Sequence, residues 1–237
     1  MQYNGHAQNQ DCVSEILKIC KATTGKYPIN DITRRFNEAL DRYFHLAFEA
    51  GGDLGFDDAN QSSEPLQTLD IASGTNKYQI STLTSELLQC FQIEFLDSGG
   101  IGLKGIPETI DQLPGSFTEL YKTTIQGVPT FYLRYGGFLY IRSTPNYTKT
   151  GGIKFYFNRP ATRMLYSDTT KVPGIPTIHH MYLCRKTALP YLIENSMSNK
   201  NDIAAQILQD EDQIAEFFDH RNKYTHLKMR PKVRRSR

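Results

Sequence analysis

The hydrophobic period of this chain changes twice, and that double switch leaves few architectures open. From Asp11 to Gly52 apolar residues recur every three to four positions. From Asp53 to about Phe157 they fall in short runs divided by Gly, Pro and Ser, and from Thr177 the helical spacing returns. A period near 3.6 stacks apolar side chains on one helix face, whereas a period of 2 puts them on one side of a strand. Helices at both ends with short strands between them predict an α+β fold rather than alternating βαβ units. The 237 residues suffice for one such body carrying an inserted module.

The expected architecture is a helical bundle built from N- and C-terminal helices, with an inserted antiparallel β-module (a small barrel or sandwich) and an extended basic C-terminal arm. The boundaries follow the composition: N-terminal helices over 1–52, the β-module over 53–158, C-terminal helices over 159–220 that share one body with 1–52, and the arm over 221–237.

Local signals place the elements. Asp11 is positioned to cap a short helix with Val13, Ile16, Leu17 and Cys20 on one face, ending near Thr24-Gly25. Pro28-Ile29-Asn30 opens a longer helix whose core positions are Ile32, Phe36, Ala39, Leu40, Tyr43 and Phe48. Arg34, Arg35, Asp41 and Arg42 are expected on its wet face, and Gly51-Gly52 ends it. Candidate strands are Thr68–Ile71, Tyr78–Leu83, Cys90–Leu96, Thr130–Tyr135, Phe138–Arg142 and Ile153–Phe157. Gly136-Gly137 supplies the positive φ of a two-residue hairpin turn. Around it, Tyr132, Arg134, Tyr140 and Arg142 are expected to alternate with Phe131, Leu133, Leu139 and Ile141. A helix from Thr177 would carry Ile178, Tyr182, Arg185, Leu189 and Leu192 and bend at Pro190. Another, capped by Asn201 or Asp202, would bury Ile203, Ile207, Ile214, Phe217 and Phe218.

The last seventeen residues differ from everything before them. Arg221–Arg237 holds eight Lys/Arg and no acid; since the whole chain is formally +2, the remainder stands at 2 − 8 = −6. Such a tail suits three roles: a solvated end, a phosphate-binding segment, or an arm docking on a protein. Leu227, Met229 and Val233 alternate with basic residues and Tyr224 precedes them, a pattern that fits strand addition to an open sheet edge.

Chemistry-bearing motifs are scarce. Cys12, Cys20, Cys90 and Cys184 are spread too widely for a zinc site or a disulfide framework, and read as buried small hydrophobes in a reducing compartment. His179-His180 point about 100° apart on a helix, so they cannot face one metal as an i, i+4 pair would. Ser73–Lys77 lacks the spacing of a phosphate loop and leads into a strand, and Asp57-Asp58 have no companion base or nucleophile. No catalytic, cofactor-binding or metal residue, no signal peptide and no membrane span are expected.

One stretch resembles a known family. Pro145–Gly152, the strand Ile153–Phe157, Asn158-Arg159-Pro160, and Tyr166–Pro176 running into Thr177-Ile178-His179-His180 make a turn, strand, Pro/Gly joint and helix. This looks like the strand-to-helix junction of head-to-tail adaptor (connector, neck) proteins of tailed bacteriophages. Phe36–Tyr43 followed by Asp53–Asp58, Thr68–Tyr78 and Gly127–Tyr132 resemble the family's N-terminal helix, first hairpin and later G-x-P turn, so the similarity spans about Ile29 to Arg221. The loop Gly99–Gly115 and the long basic arm depart from the family pattern.

The resemblance implies a non-enzymatic virion protein, made in the host cytoplasm and placed at the head–tail interface. It would form a homo-oligomeric, twelve-fold ring between the portal protein and a downstream tail or neck protein, with genomic DNA passing through its lumen. The portal-docking arm would comprise Tyr224, Leu227, Lys228, Met229, Arg230, Pro231, Lys232, Val233, Arg234 and Arg235. The alternative is a nucleic-acid-binding protein whose arm grips phosphates.

Overall fold

A computed structural model describes residues 1–5, 11–51, 58–81, 83, 89–112 and 125–225. The chain is mixed α+β and divides into two compact units, one taking Met1–Ser62 with Pro160 onward, the other Ser63–Arg159.

Among the described residues, the first unit holds four α-helices: α1 (Cys12–Cys20), α2 (Ile29–Gly51), α3 (His180–Glu194) and α4 (Lys200–Thr225). Asp11 caps α1 as the sequence predicts, its Oδ1 accepting from Ser14 N at 2.7 Å. The helix ends sooner than Thr24-Gly25, because Lys21 adopts a left-handed conformation, φ 49°, and its amide closes onto the Leu17 and Lys18 carbonyls. The early turn delivers Tyr27 to the core, where it stacks on Tyr191 with centroids 4.5 Å apart and donates to Thr187 O at 3.0 Å. Ile32, Phe36, Ala39, Leu40 and Tyr43 on α2 are buried, in the predicted register.

The predicted wet face of α2 is not uniformly wet. The Arg35 side chain is only 12% exposed, lies over the Tyr27 ring and pairs with Glu194 at 2.6 Å, while Arg42 pairs with Glu211 at 3.0 Å. A guanidinium on a long stem can cover apolar surface and still reach a carboxylate.

Helix α3 is buried almost all round, since α1, α2 and α4 each pack against it. Ile178, expected on its core line, is 72% exposed. It lies in the 3₁₀ turn Thr177–His179, whose three residues per turn put it out of phase with the α-helix that follows. Helix α4 begins at Lys200, with Ile203 N bonded to Asn199 O, so neither Asn201 nor Asp202 is its cap. Ile207, Ile214 and Phe218 are buried on it, but Phe217 is partly exposed. The helix also runs through Arg221 to Thr225, so the arm does not start extended at 221. No breaker occurs before Pro231, and cations near a helix C-terminus are favourable.

Among the described residues, the second unit holds two four-stranded sheets. Strands β1 (Leu66–Ile71), β8 (Lys149–Asn158), β3 (Gln89–Leu96) and β4 (Gly102–Lys104) form the first, in that order; β2 (Lys77–Gln79), β7 (Phe138–Arg142), β6 (Phe131–Tyr135) and β5 (Ile106–Pro107) form the second. Every pair is antiparallel except β5·β6, which is parallel, against the antiparallel expectation. Both sheets feed one core, with Ile93, Phe95, Ile153 and Phe155 from one and Tyr132, Leu139 and Ile141 from the other.

The β6–β7 hairpin turns at Gly136-Gly137, both with positive φ, as predicted. Its faces differ from the expectation. Tyr132 pairs with Ile141 and Arg134 with Leu139, so even-numbered residues of β6 share a face with odd-numbered residues of β7. A two-residue loop imposes this, because Tyr135 and Phe138 face each other across the turn.

Candidate interaction surfaces

The residues with possible chemistry occupy structural places. His179 and His180 are both buried but serve different partners: His179 Nδ1 lies 2.7 Å from Tyr43 Oη, and His180 Nε2 lies 3.1 Å from Ile175 O. Burial lowers both imidazole pKa values. Cys12, Cys20 and Cys184 are buried, and burial pushes the Cys20 thiol up to about 12. Ser73–Lys77 turns into β2, where Lys77 Nζ sits 4.0 Å from the centre of the Phe138 ring, a cation–π contact. Among the described residues no group of three His, Cys, Asp or Glu could hold a metal ion, and no helix is long and apolar enough to cross a membrane.

Asp58 is 3% exposed and ties together the two chain segments that connect the helical unit to the β-unit. Its Oδ1 accepts from Asn60 N at 2.7 Å and Asn60 Nδ2 at 2.9 Å, and its Oδ2 accepts from Thr162 N at 2.7 Å. Ala59 N donates to Gly174 O, and Gln61 Nε2 to Thr162 Oγ1. A carboxylate satisfied by backbone donors is a structural clamp. Asp57 lies outside the described residues.

Of the predicted arm, Tyr224 falls in the last turn of α4; Leu227, Lys228, Met229, Arg230, Pro231, Lys232, Val233, Arg234 and Arg235 lie outside the described residues. The helix that carries the arm is held by a polar network. Glu211 accepts from Arg42 at 3.0 Å, Lys186 at 2.8 Å and Tyr182 Oη at 3.1 Å, while Asp210 takes Arg185 Nη1 on both oxygens at 2.6 and 3.0 Å. Burial works to raise the Glu211 pKa, but the hydrogen bonds from Arg42 and Lys186 outweigh it and hold it at about 2.

Among the exposed large apolar side chains, two groups lie close together in sequence. In the helical unit, Leu165 and Tyr166 are 59% and 64% exposed, at the tip of the 160–176 connection. That tip is braced on every side. Asn37 Nδ2 donates to Met164 O at 3.0 Å while Met164 N donates to Asn37 Oδ1 at 2.8 Å. Leu165 N donates to Asp168 Oδ2, Lys171 Nζ to Arg163 O, and Tyr3 N to Lys171 O, all within 3.0 Å. Arg163 pairs with Asp41 at 2.9 Å. In the β-unit, Ile101, Leu103, Ile106 and Ile110 are 42–66% exposed, Leu103 and Ile106 on strands β4 and β5 and the other two in the segments flanking them. Strand β4 ends one sheet and β5 the other, so Gly102–Pro107 forms an edge of both.

Neither surface stands out in the sequence. Leu165-Tyr166 lacks any period, and its one signal is Asp168 three residues on, where a carboxylate can close a turn onto the Leu165 amide. The edge falls in the Gly-rich loop 99–115, which carries strands too short to register as an alternating pattern. No model of a known protein family matches the chain, and no curated protein matches it.

Proposed function

We propose that this chain is a structural adaptor of a tailed-bacteriophage virion, one subunit of an oligomeric, twelve-fold ring between the portal vertex and the tail. The ring extends the DNA channel and docks the next tail component, and the chain has no catalytic role. In this reading the four helices act as a bundle forming the ring body, and the two sheets act as a small sandwich inserted into it. The basic arm leaves α4 to reach the portal protein.

One observation carries the reading: each unit exposes its own apolar surface on backbone that is hydrogen-bonded in place, at Leu165-Tyr166 and at Ile101–Ile110. Large apolar side chains held exposed on a fixed backbone suit an interaction site. A subunit that meets neighbours through both units needs such a pair. The acidic balance of the residues before 221 is compatible with a channel along which DNA slides, since like charge weakens phosphate binding.

Electron microscopy of the purified chain with and without portal protein tests the reading; rings seated on the portal are expected. Deleting Met229–Arg237 should abolish portal attachment while leaving the melting temperature unchanged. A nucleic-acid-binding role for the arm predicts the reverse, with salt-sensitive DNA binding lost and portal attachment intact.

A further inference from the structure

We infer that the Asn4-Gly5 peptide is a modification site at which the chain deamidates itself, through a cyclic succinimide and with water as the only co-reactant. The inference stands apart from the adaptor reading and does not depend on it.

The reaction needs two groups of neighbouring residues to meet. The backbone nitrogen of the residue after Asn attacks the side-chain carboxamide carbon. A new N–C bond closes the ring, and the carboxamide nitrogen leaves as ammonia, taking the proton that the backbone nitrogen gives up. Water then adds to either ring carbonyl and opens it, leaving an aspartyl or an isoaspartyl residue at position 4. Nothing is oxidised or reduced. A side chain on the following residue obstructs the attack, so glycine, which has none and rotates freely, is the most permissive neighbour. Asn4-Gly5 is the one Asn-Gly pair in the sequence.

The fold keeps glycine at this position and leaves both reacting groups open. Gly5 is exposed and adopts φ 82°, and a Cβ there would lie 3.1 Å from Thr169 Cβ. Backbone conformation and the passing chain therefore both select against a side chain that would slow the attack. Among the described residues, neither the Asn4 carboxamide nor the Gly5 amide has a hydrogen-bond partner. Anchoring stops one residue earlier. Tyr3 N donates to Lys171 O at 2.8 Å, Tyr3 O accepts from Val13 N at 3.0 Å, and Tyr3 Oη donates to Thr33 Oγ1 at 2.6 Å.

Other asparagines show what protection looks like. Asn195-Ser196 has the next smallest following residue, but Asn195 Nδ2 donates to Tyr191 O at 2.9 Å and Ser196 N donates to Ile193 O at 3.1 Å. Asn37 and Asn60 likewise commit their carboxamides, to Met164 and to Asp58 and Val172. A group engaged in this way must surrender its bond before it reacts, which raises the barrier. Asn4 and Gly5 surrender nothing. The product carries a new carboxylate and, in the isoaspartyl form, an extra methylene in the main chain directly after Tyr3. Since the Tyr3 bonds lie on the near side of that change, the helical unit should keep its stability.

Peptide mapping by mass spectrometry of the full chain, incubated in mildly alkaline buffer, tests this. Position 4 should be the fastest-converting asparagine and should yield isoaspartate. Its rate in the folded chain should lie within about fivefold of the rate in a synthetic peptide of residues 1–11, because opening the site costs the fold almost nothing. Protection of Asn4 beyond that factor overturns the inference, as does faster conversion at Asn195. Asn4→Gln should abolish the early acidic species seen on ion exchange, with the melting temperature unchanged. An acidic species that forms at the same rate in that variant would place the reaction elsewhere and sink the proposal.

Discussion

Asp58 and Gly174 fit together only because residue 174 has no side chain: a Cβ built there would lie 1.5 Å from Asp58 Oδ1 and 2.2 Å from its Cγ. The close approach lets Gly174 O accept from Ala59 N while the carboxylate collects Asn60 and Thr162, so one acid fixes both connections to the β-unit. Gly174→Ala must push the carboxylate out of a site where it is nearly fully buried. Thermal unfolding should show a loss of at least about 2 kcal/mol, the scale of a broken buried hydrogen-bond set. A melting temperature equal to wild type would mean that the clamp does not form.

The tip depends on Asn37, whose amide pairs both backbone groups of Met164 across 127 residues of sequence. Asn37→Ala leaves a buried N–H and C=O without partners and should cost about 2–3 kcal/mol. Asn37→Asp keeps the acceptor but loses the donor, so its penalty should be present but its hydrogen-exchange protection at Met164 N retained. Equal stability of the Ala variant and wild type in urea denaturation would refute this role.

Glu211 gives the helical unit an acid limit. Its pKa in the fold, about 2, lies below the ordinary value of 4.5, so the ionised form is favoured by folding. The contribution is complete above pH 4.5 and is lost as pH falls toward 2. After allowance for solvent screening it is worth about 1–2 kcal/mol. Glu211→Gln should lower stability at pH 7 and flatten the pH dependence below 4.5, read as melting temperature against pH. A slope unchanged by the substitution would remove Glu211 as its source.

His179 and His180 act in a separate window. Burial lowers both pKa values from 6.5, so the unfolded chain binds protons before the folded one does. Stability is therefore full above pH 6.5 and declines as pH falls below it, before Glu211 begins to titrate. Burial is the largest influence on the His180 ring and the Met1 ammonium adds to it, together outweighing the Ile175 carbonyl at Nε2, so its midpoint in a proton NMR titration should fall below 6.5. An imidazole that titrates at or above 6.5 would contradict this.

The parts of the fold legible in the sequence are those set by short-range physics. Asp11 caps α1 because its side chain meets an amide three residues on, and the Gly136-Gly137 turn forms because glycine adopts the positive φ that a two-residue turn requires. The α2 core line appears because five of its apolar positions keep one period. Strands β7 and β3 are legible to within a residue because their apolar and β-branched residues fall in short runs. The candidate surfaces were not legible, since exposure at Leu165, Tyr166 and Ile101 is a property of what fails to cover them, and no local pattern encodes it.

By itself, then, the sequence determined the order of helical and strand segments, their caps and turns, and the charge asymmetry of the C-terminus. These rest on interactions between residues within about one turn of each other. Only the tertiary structure decided that α1, α2 and α4 all pack on α3, and that Arg35 and Arg42 are drawn to Glu194 and Glu211. It also decided that Gly102–Pro107 borders both sheets. Each of these depends on a partner far along the chain, and the free energy of meeting it is invisible to any local window.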